Sequence, residues 1–189
     1  MNPEATVVAS FAEVRAALER ALPAPTASFR PPASRDELQR LGKALGRPVP
    51  LELAALLTVA NGQYDVAGAS GSINYHRFLG VGEIIDMHQM LDAVVGDLSM
   101  SAPQPSSYTD LVWSPAWIPF LASDGDCYAI DMAPGEAGRV GQVLFRPNVP
   151  DLDEPKAPSL AALLQTVVEI IEAGDYEVSY NSIVSPRLL

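Results

Sequence analysis

Residues 117–145 read WIPFLASDGDCYAIDMAPGEAGRVGQVLF. Trp117 to Ala122 and Cys127 to Met132 are rich in the apolar, aromatic and β-branched residues that favour strands. Ser123-Asp124-Gly125-Asp126 lies between them and consists of residues that favour turns. A second turn, PGEAG, leads to a strand-like segment from Val140 to Phe145. The stretch therefore predicts an antiparallel β-meander.

Helical patterns precede the meander. A first helix has an apolar residue at every third or fourth position, namely Val7, Phe11, Val14, Leu18 and Leu22. Ser34 and Glu37 form an S-x-x-E capping box, which opens a second helix after a proline-rich linker that includes Pro23 and Pro25. Pro50 suits the first turn of a third helix, and we expect Asn61-Gly62 to end it.

The remaining segments complete the predicted order. Tyr75–Leu79 is a short strand, Ile84–Val95 has helical spacing, and residues 96–116 are a long surface loop. Ser159–Gly174 carries the strongest apolar stripe of the chain and predicts a last helix. Tyr176–Val178 is a candidate edge strand. This order predicts an α+β fold, in which helices pack on one side of a mostly antiparallel sheet.

Length and composition favour one principal domain at residues 34–180, with an N-terminal helix and linker at 1–33 and a tail at 181–189. The chain is 48% hydrophobic and 19% charged, which is too apolar for a disordered protein. No apolar run approaches the ~20 residues that cross a bilayer, and the N-terminus lacks the features of a signal peptide. We therefore expect a cytoplasmic protein that does not bind a membrane.

Charge is distributed unevenly. The formal net charge is −11, and no Lys or Arg occurs between Arg77 and Arg139. A nucleic-acid-binding protein usually has a basic face, so we expect no nucleic-acid partner. The acidic residues of this segment are a candidate partner-binding surface: Asp86, Asp92, Asp97, Asp110, Asp124, Asp126 and Glu136. Such a surface would steer a basic protein toward it; the alternative is that these acids only maintain solubility.

Candidates for catalysis are few. Cys127 is the only cysteine, and His76 and His88 are the only histidines. A cysteine nucleophile needs an adjacent imidazole base in a polar cleft, whereas Cys127 lies inside a predicted strand. Free cysteine is often a small buried apolar residue. The chain also has neither a phosphate-binding loop nor a G-x-S-x-G motif. We therefore expect no enzyme and no cofactor.

Two acidic groups are candidates for metal sites. Asp124, Asp126 and Asp131 do not have the spacing of a calcium-binding EF-hand loop, and turn formation accounts for Asp124 and Asp126. Asp86, His88 and Asp92 lie in the same predicted helix, where His88 and Asp92 are four residues apart and could share one face. Two ligands on one helix face are too few for a structural zinc site. We expect no bound metal.

The ordered series of turn, glycine and tryptophan motifs resembles the SUKH superfamily. The matching motifs in this sequence are Leu41-Gly42, Leu45-Gly46, Pro48-Val49-Pro50, Asn61-Gly62, Phe78-Leu79, Glu83-Ile84, Trp117-Ile118-Pro119-Phe120, Ser123-Asp124-Gly125, Ile130-Asp131, Pro134-Gly135, Gly141-Gln142-Val143, Ser159-Leu160 and Leu163-Leu164. The resemblance covers about residues 34–178. The N-terminal helix and the long loop at 96–116 depart from the usual pattern.

The resemblance implies an α+β fold, no catalytic residues, no cofactor and a protein partner. The superfamily includes the Smi/Knr regulators of fungal cell-wall synthesis, and many bacterial members look like immunity proteins. The leading hypothesis is a bacterial immunity protein that neutralises a basic toxin by one-to-one binding. The alternatives are an intracellular scaffold or regulator of envelope synthesis, and an enzyme that uses His76, His88 and Cys127.

Overall fold

A computed structural model of the chain describes residues 2–22, 29–65, 71–98, 100–148 and 154–188. Parts of three predicted segments lie outside the described residues. These are Pro23 and Pro25 in the linker, residue 99 in the loop at 96–116, and Leu189 in the tail.

The predicted meander is present as part of a four-stranded antiparallel sheet in the order β1-β2-β3-β4. The strands are β1 (Arg77–Phe78), β2 (Trp117–Ser123), β3 (Asp126–Asp131) and β4 (Val143–Arg146). Ser123 pairs with Asp126, so Asp124-Gly125 forms the tight turn between β2 and β3. Together with the helices, the sheet confirms the predicted α+β class.

The helices are α1 (Pro3–Ala21), α2 (Arg35–Ala44), α3 (Leu51–Leu57), α4 (Val81–Val95) and α5 (Leu160–Ala173). Local end signals act as predicted, since Ser34 and Glu37 form the reciprocal capping box of α2 and Gly174 ends α5 in the left-handed conformation. The predicted stripe of α1 is buried, and α1 packs against α3 and α5. None of the helices in the described ranges is both long and apolar enough to cross a bilayer.

Asn61-Gly62 does not end α3, contrary to prediction, because the helix already ends at Leu57. The Asn61 side chain instead joins two other helices: its amide donates to Glu37 of α2 at 3.0 Å, and its Oδ1 accepts from the Val81 N–H of α4 at 2.8 Å. A Cβ on Gly62 would lie 2.2 Å from the Gly80 nitrogen, just before α4. This pair of residues therefore seats the start of α4.

Both faces of the sheet are covered. Tyr128 and Ile130 of β3 belong to the main core, which α1, α3 and α5 share, whereas Cys127 and Ala129 belong to a second apolar cluster. Consecutive strand residues point to opposite faces, so the two clusters lie on opposite sides of the sheet. The second cluster is completed by side chains from α4 and the long loop, including Leu91, Val112 and Trp113.

The loop at 96–116 is therefore not only a surface loop, contrary to prediction. A 3-10 turn occupies Gly96–Leu98, and Trp113 near the other end is almost fully buried. Trp113 makes an edge-to-face contact with Trp117, with ring centroids 6.1 Å apart. The buried Gln142 donates to the Ser107 carbonyl at 2.6 Å and to Asp131 at 3.0 Å. Ser107 and Trp113 thus hold the loop against the sheet.

The C-terminal segment packs against the main body. β5 (Glu177–Ser179) pairs with β6 (Ser182–Val184) in a separate two-stranded sheet, so the predicted Tyr176–Val178 segment does not extend the main one. Asn74 and Ser185 exchange two hydrogen bonds, at 3.2 and 2.9 Å. The Tyr128 hydroxyl donates to the Leu188 carbonyl. Residues after 180 therefore contribute to the core as well.

Candidate interaction surface

An open cleft of about 620 Å3 lies beside the first half of α4. One wall is formed by α4, a second by the end of the β2–β3 hairpin, and a third by the segment around β1. The lining residues include Asp65, Tyr75, Arg77, Leu79, Glu83, Asp86, Met87, Met90, Ala122, Ser123 and Asp124. The cleft thus combines carboxylates with apolar side chains.

The Glu83 carboxylate organises one end of the cleft. It accepts from the Gly80 N–H at the start of α4 at 2.8 Å, and Arg30 binds it through two nitrogens, at 2.6 and 3.1 Å. Arg77 also pairs with it. Burial alone would raise the pKa of Glu83, but the hydrogen bonds from Arg30, Gly80 and Arg77 lower it below its ordinary value. Glu83 is therefore ionised at neutral pH. It forms an ion pair with Arg77, which is the only cationic side chain that lines the cleft within the described residues.

The remaining carboxylates give the cleft a negative field. Asp65, Asp86 and Asp124 are exposed, and they form no ion pair within the described residues. Arg30 and Arg77 share the one negative charge of Glu83, so this end of the cleft keeps one net positive charge, which offsets only one of the three carboxylates. The apolar side chains between them reduce access of water, and a low-dielectric wall strengthens the field of nearby charges. The cleft is suited to a ligand that is both cationic and apolar.

Of the seven predicted partner-binding residues, only Asp86 and Asp124 line this cleft. Asp92 and Asp97 are exposed farther along the α4 segment, and the Asp92 carboxylate faces the Trp113 indole N–H at 3.4 Å. Glu136 is exposed in the turn after β3, outside the cleft. These three residues are therefore not part of the cleft lining.

Asp110 and Asp126 serve the backbone rather than an open surface. Asp110 is only 5% exposed, and its carboxylate accepts from the N–H groups of Val112 and Trp113 at 2.7 and 3.0 Å. Its inclusion in an exposed acidic surface was therefore wrong. Asp126 is half-buried and accepts from the Asn148 N–H. Both carboxylates satisfy backbone donors that the loops would otherwise leave without partners.

Sequence reasoning missed Asp65, Glu83 and the cleft-lining methionines. Glu83 could have been found because it is the third residue after Gly80, where a carboxylate commonly caps a helix. Arg77 could have been placed on an open face by strand alternation, since the apolar Phe78 next to it in β1 is buried. Asp65 carried no such signal.

The candidate catalytic residues are buried. Cys127 belongs to the second cluster, whereas the His76 ring contacts Tyr128 and Phe145, so the thiol and this imidazole lie on opposite sides of β3. His88 is buried in α4, and its Nε2 lies 3.0 Å from the Pro115 carbonyl oxygen. Burial raises the pKa of Cys127 to about 12, whereas a nucleophilic cysteine requires a lowered pKa.

The two groups considered for metal binding are also dispersed. Asp124 lines the cleft, but Asp131 is fully buried and accepts from the Ala133 N–H at 2.9 Å and from Gln142. Burial raises the pKa of Asp131 despite these hydrogen bonds. Within the part of the chain that the structure describes, no three His, Cys, Asp or Glu side chains are grouped as metal ligands.

Fold and cleft together define an α+β domain with a cleft beside α4 that is lined by acidic and apolar side chains. The sequence profile of the SMI1 / KNR4 family (SUKH-1) matches residues 32–166, which is more than half of the chain. The chain belongs to this family, which confirms the resemblance seen in its motifs. It is also similar to a Yarrowia lipolytica (strain CLIB 122 / E 150) protein named KNR4/SMI1 homolog, with 36% identity over 81 residues. These residues are 41% of this chain and 11% of the fungal protein.

Proposed function

We propose that this chain is a non-enzymatic, protein-binding domain that acts in the bacterial cytoplasm as an immunity-type protein. Its partner is a toxin domain with a basic surface, which it neutralises by one-to-one binding without a cofactor. The observation that carries the proposal is the cleft, where Asp65, Asp86 and Asp124 surround apolar side chains and have no ion-pair partners among the described residues. Family membership supports a binding domain of this type.

Electrostatics gives the cleft a physical role in binding. The chain carries a net charge of −11, so a basic toxin is attracted from a distance of about one Debye length, roughly 8 Å at physiological salt. The cleft then supplies fixed carboxylates for cationic side chains that would otherwise contact an anionic substrate. Blocking those cations is sufficient to inhibit a toxin that acts on nucleic acid.

The test uses the toxin encoded beside this chain and the double variant Asp86→Asn/Asp124→Asn. We expect the double variant to lower the association rate constant about three- to tenfold at low salt, because two steering charges are removed from the cleft. The difference should shrink at high salt, where the charges are screened. Stopped-flow fluorescence at two ionic strengths measures both effects.

The matched control is Glu172→Gln, which removes an exposed carboxylate from α5, away from the cleft. We expect it to leave the association rate constant nearly unchanged. If the native chain, the double variant and Glu172→Gln all had the same association rate constant, the cleft carboxylates would not steer the toxin. Failure of the native chain to bind or protect against any toxin of its own locus would remove the immunity function itself.

A regulatory scaffold in envelope or cell-wall synthesis is the second candidate. The similarity to the fungal KNR4/SMI1 homolog favours the scaffold, because the matching region is only 11% of that much longer protein. Affinity purification from the native host separates the two candidates. A stable housekeeping partner, together with the absence of a toxin gene nearby, would favour the scaffold.

A further inference from the structure

The outward face of α4 exposes a row of large apolar side chains. Met90 and Val94 of α4, and Leu98 in the 3-10 turn that follows it, succeed one another at steps of four residues and are 45%, 65% and 61% exposed. Met100, just beyond, is 52% exposed. A surface helix normally carries polar residues on its solvent face, and exposed apolar residues that adjoin one another mark binding sites. We call Met90, Val94 and Leu98 the α4 stripe.

The α4 stripe continues directly out of the acidic cleft. Met90 lines the cleft together with Met87, and Asp86 lies one helical turn before Met90. Asp97 is exposed beside the far end of the stripe. Met90 and Val94 are separated by about 6 Å, or one turn of α4, and the 3-10 turn extends the row to Leu98. The surface is therefore an elongated apolar track with a carboxylate at each end.

The spacing and charge of this track identify the shape of its occupant. Side chains at steps of four form the ridge against which a second helix packs. Methionine side chains are flexible and polarisable, so they adapt to different apolar partners. The carboxylates at both ends repel a second copy of this acidic chain and an anionic lipid surface, and they attract lysine and arginine.

We propose that the α4 stripe and the adjoining cleft bind an amphipathic helix of the partner, with its apolar face on the stripe and flanking Lys or Arg side chains at Asp86 and Asp97. This inference rests on the proposed function, because it specifies the part of the toxin that the cleft receives. It assigns the apolar contact to α4 and the steering to the carboxylates.

The first experiment uses a synthetic amphipathic Leu/Lys peptide of about 18 residues, which is long enough to form a helix in the complex. Two comparison peptides have the same composition without an apolar face, or glutamate in place of lysine. NMR of 13C-labelled methionine methyl groups follows binding. We expect the Leu/Lys peptide to shift the signals of Met87, Met90 and Met100 and to leave Met132, which packs against the main core, unchanged.

The second experiment compares two matched double variants by calorimetry. Val94→Gln/Leu98→Gln alters the stripe, and Val140→Gln/Leu51→Gln alters residues that are each 62% exposed and lie outside it. We expect the stripe variant to weaken peptide binding at least about tenfold, and the control variant to bind like the native chain. Circular dichroism and thermal unfolding establish that both variants remain folded.

Several outcomes would overturn the inference. These are equal peptide affinities for the two variants, equal binding of the peptide without an apolar face, or self-association of the native chain that the stripe variant abolishes. Binding of the cognate toxin distinguishes this inference from the proposed function. If Asp86→Asn/Asp124→Asn weakens toxin binding while Val94→Gln/Leu98→Gln does not, the helix-docking inference fails and the proposed function stands.

Discussion

His76 illustrates how burial decides the role of a single side chain. Its ring lies 5.1 Å from that of Tyr128 and 5.6 Å from that of Phe145, and its Nδ1 contacts the Asn74 carbonyl. Its Nε2 has no hydrogen-bond partner in the described residues. Burial lowers the pKa of His76, although the Asn74 carbonyl and the Asp126 charge oppose the shift. The folded protein therefore holds this imidazole in its neutral form at neutral pH.

Acidification should weaken the fold through His76. Because its folded pKa is lower than the ordinary value of about 6.5, the contribution of His76 to stability is complete above that pH and is lost as the pH falls below it. The loss cannot exceed about 1.4 kcal/mol per pH unit for one proton. Urea unfolding at pH 7.5, 6.5 and 5.5 should show a smaller pH dependence for His76→Gln than for the native chain. Parallel pH profiles would contradict this account.

The type of a residue indicates which chemistry its side chain can perform, but not whether the fold buries or exposes that side chain. Asp110 was counted with the surface acids because aspartate is usually exposed, yet it is buried under the N–H groups of Val112 and Trp113. His76 was weighed as a base because histidine often is one, yet it packs among aromatic rings. Both outcomes depend on contacts made by distant parts of the chain, which single residues do not reveal.

The start of α4 is positioned by close packing against the backbone of Gly62. Gly62 has a φ of +79°, and the space for its Cβ is occupied by the backbone of Leu79 and Gly80. Gly82, in the first turn of α4, has no atom within 4 Å of its own Cβ position. Both glycines lie at the start of α4 in space, but only Gly62 is required by the packing.

Alanine at these two positions should therefore act in opposite directions. Gly62→Ala should lower the free energy of unfolding by at least about 2 kcal/mol, because it combines a backbone clash with an unfavourable φ. Gly82→Ala should raise it by about 0.5 kcal/mol, since alanine is the better helix former. Chemical denaturation monitored by circular dichroism measures both changes. Destabilisation of similar size in the two variants would mean that close packing at Gly62 is not limiting.

Local signals predicted the elements better than the links between them. The capping box of α2, the Ser159 cap and the Gly174 end of α5 depend on neighbours within a few residues, and all three are present. Asn61-Gly62 was misread because its partners, Glu37 and Val81, are distant in sequence. The cleft could be predicted only in part for the same reason: it forms where α4, β1 and the β2–β3 hairpin meet.

At the scale of the whole molecule, both chain ends share the main core. Phe11 of α1 and Ile183 of β6 are fully buried in it. The sequence predicts a tail at 181–189. Its apolar residues are too few for a periodic pattern, so only the three-dimensional packing reveals their role.

Truncating Ile183 should consequently have a large effect on overall stability. Ile183→Ala should cost about 2–5 kcal/mol, because it removes a fully buried side chain and leaves a cavity. Val178→Ala, in the neighbouring strand β5, alters a side chain that is 46% exposed and should change stability by no more than about 0.5 kcal/mol. Differential scanning calorimetry should show a clearly lower Tm only for Ile183→Ala. Similar transitions for both variants would place residues 181–188 outside the cooperative unit.

The buried thiol of Cys127 gives the native chain an internal reporter of unfolding. Burial raises its pKa to about 12, so almost none of the thiol is ionised at pH 7, and Cys127 belongs to the buried cluster that contains Trp113 and Leu144. An alkylating reagent can therefore react at an appreciable rate only while strand β3 is open. A cysteine placed deliberately on the rim of the cleft would accept a fluorophore without competition from the native one.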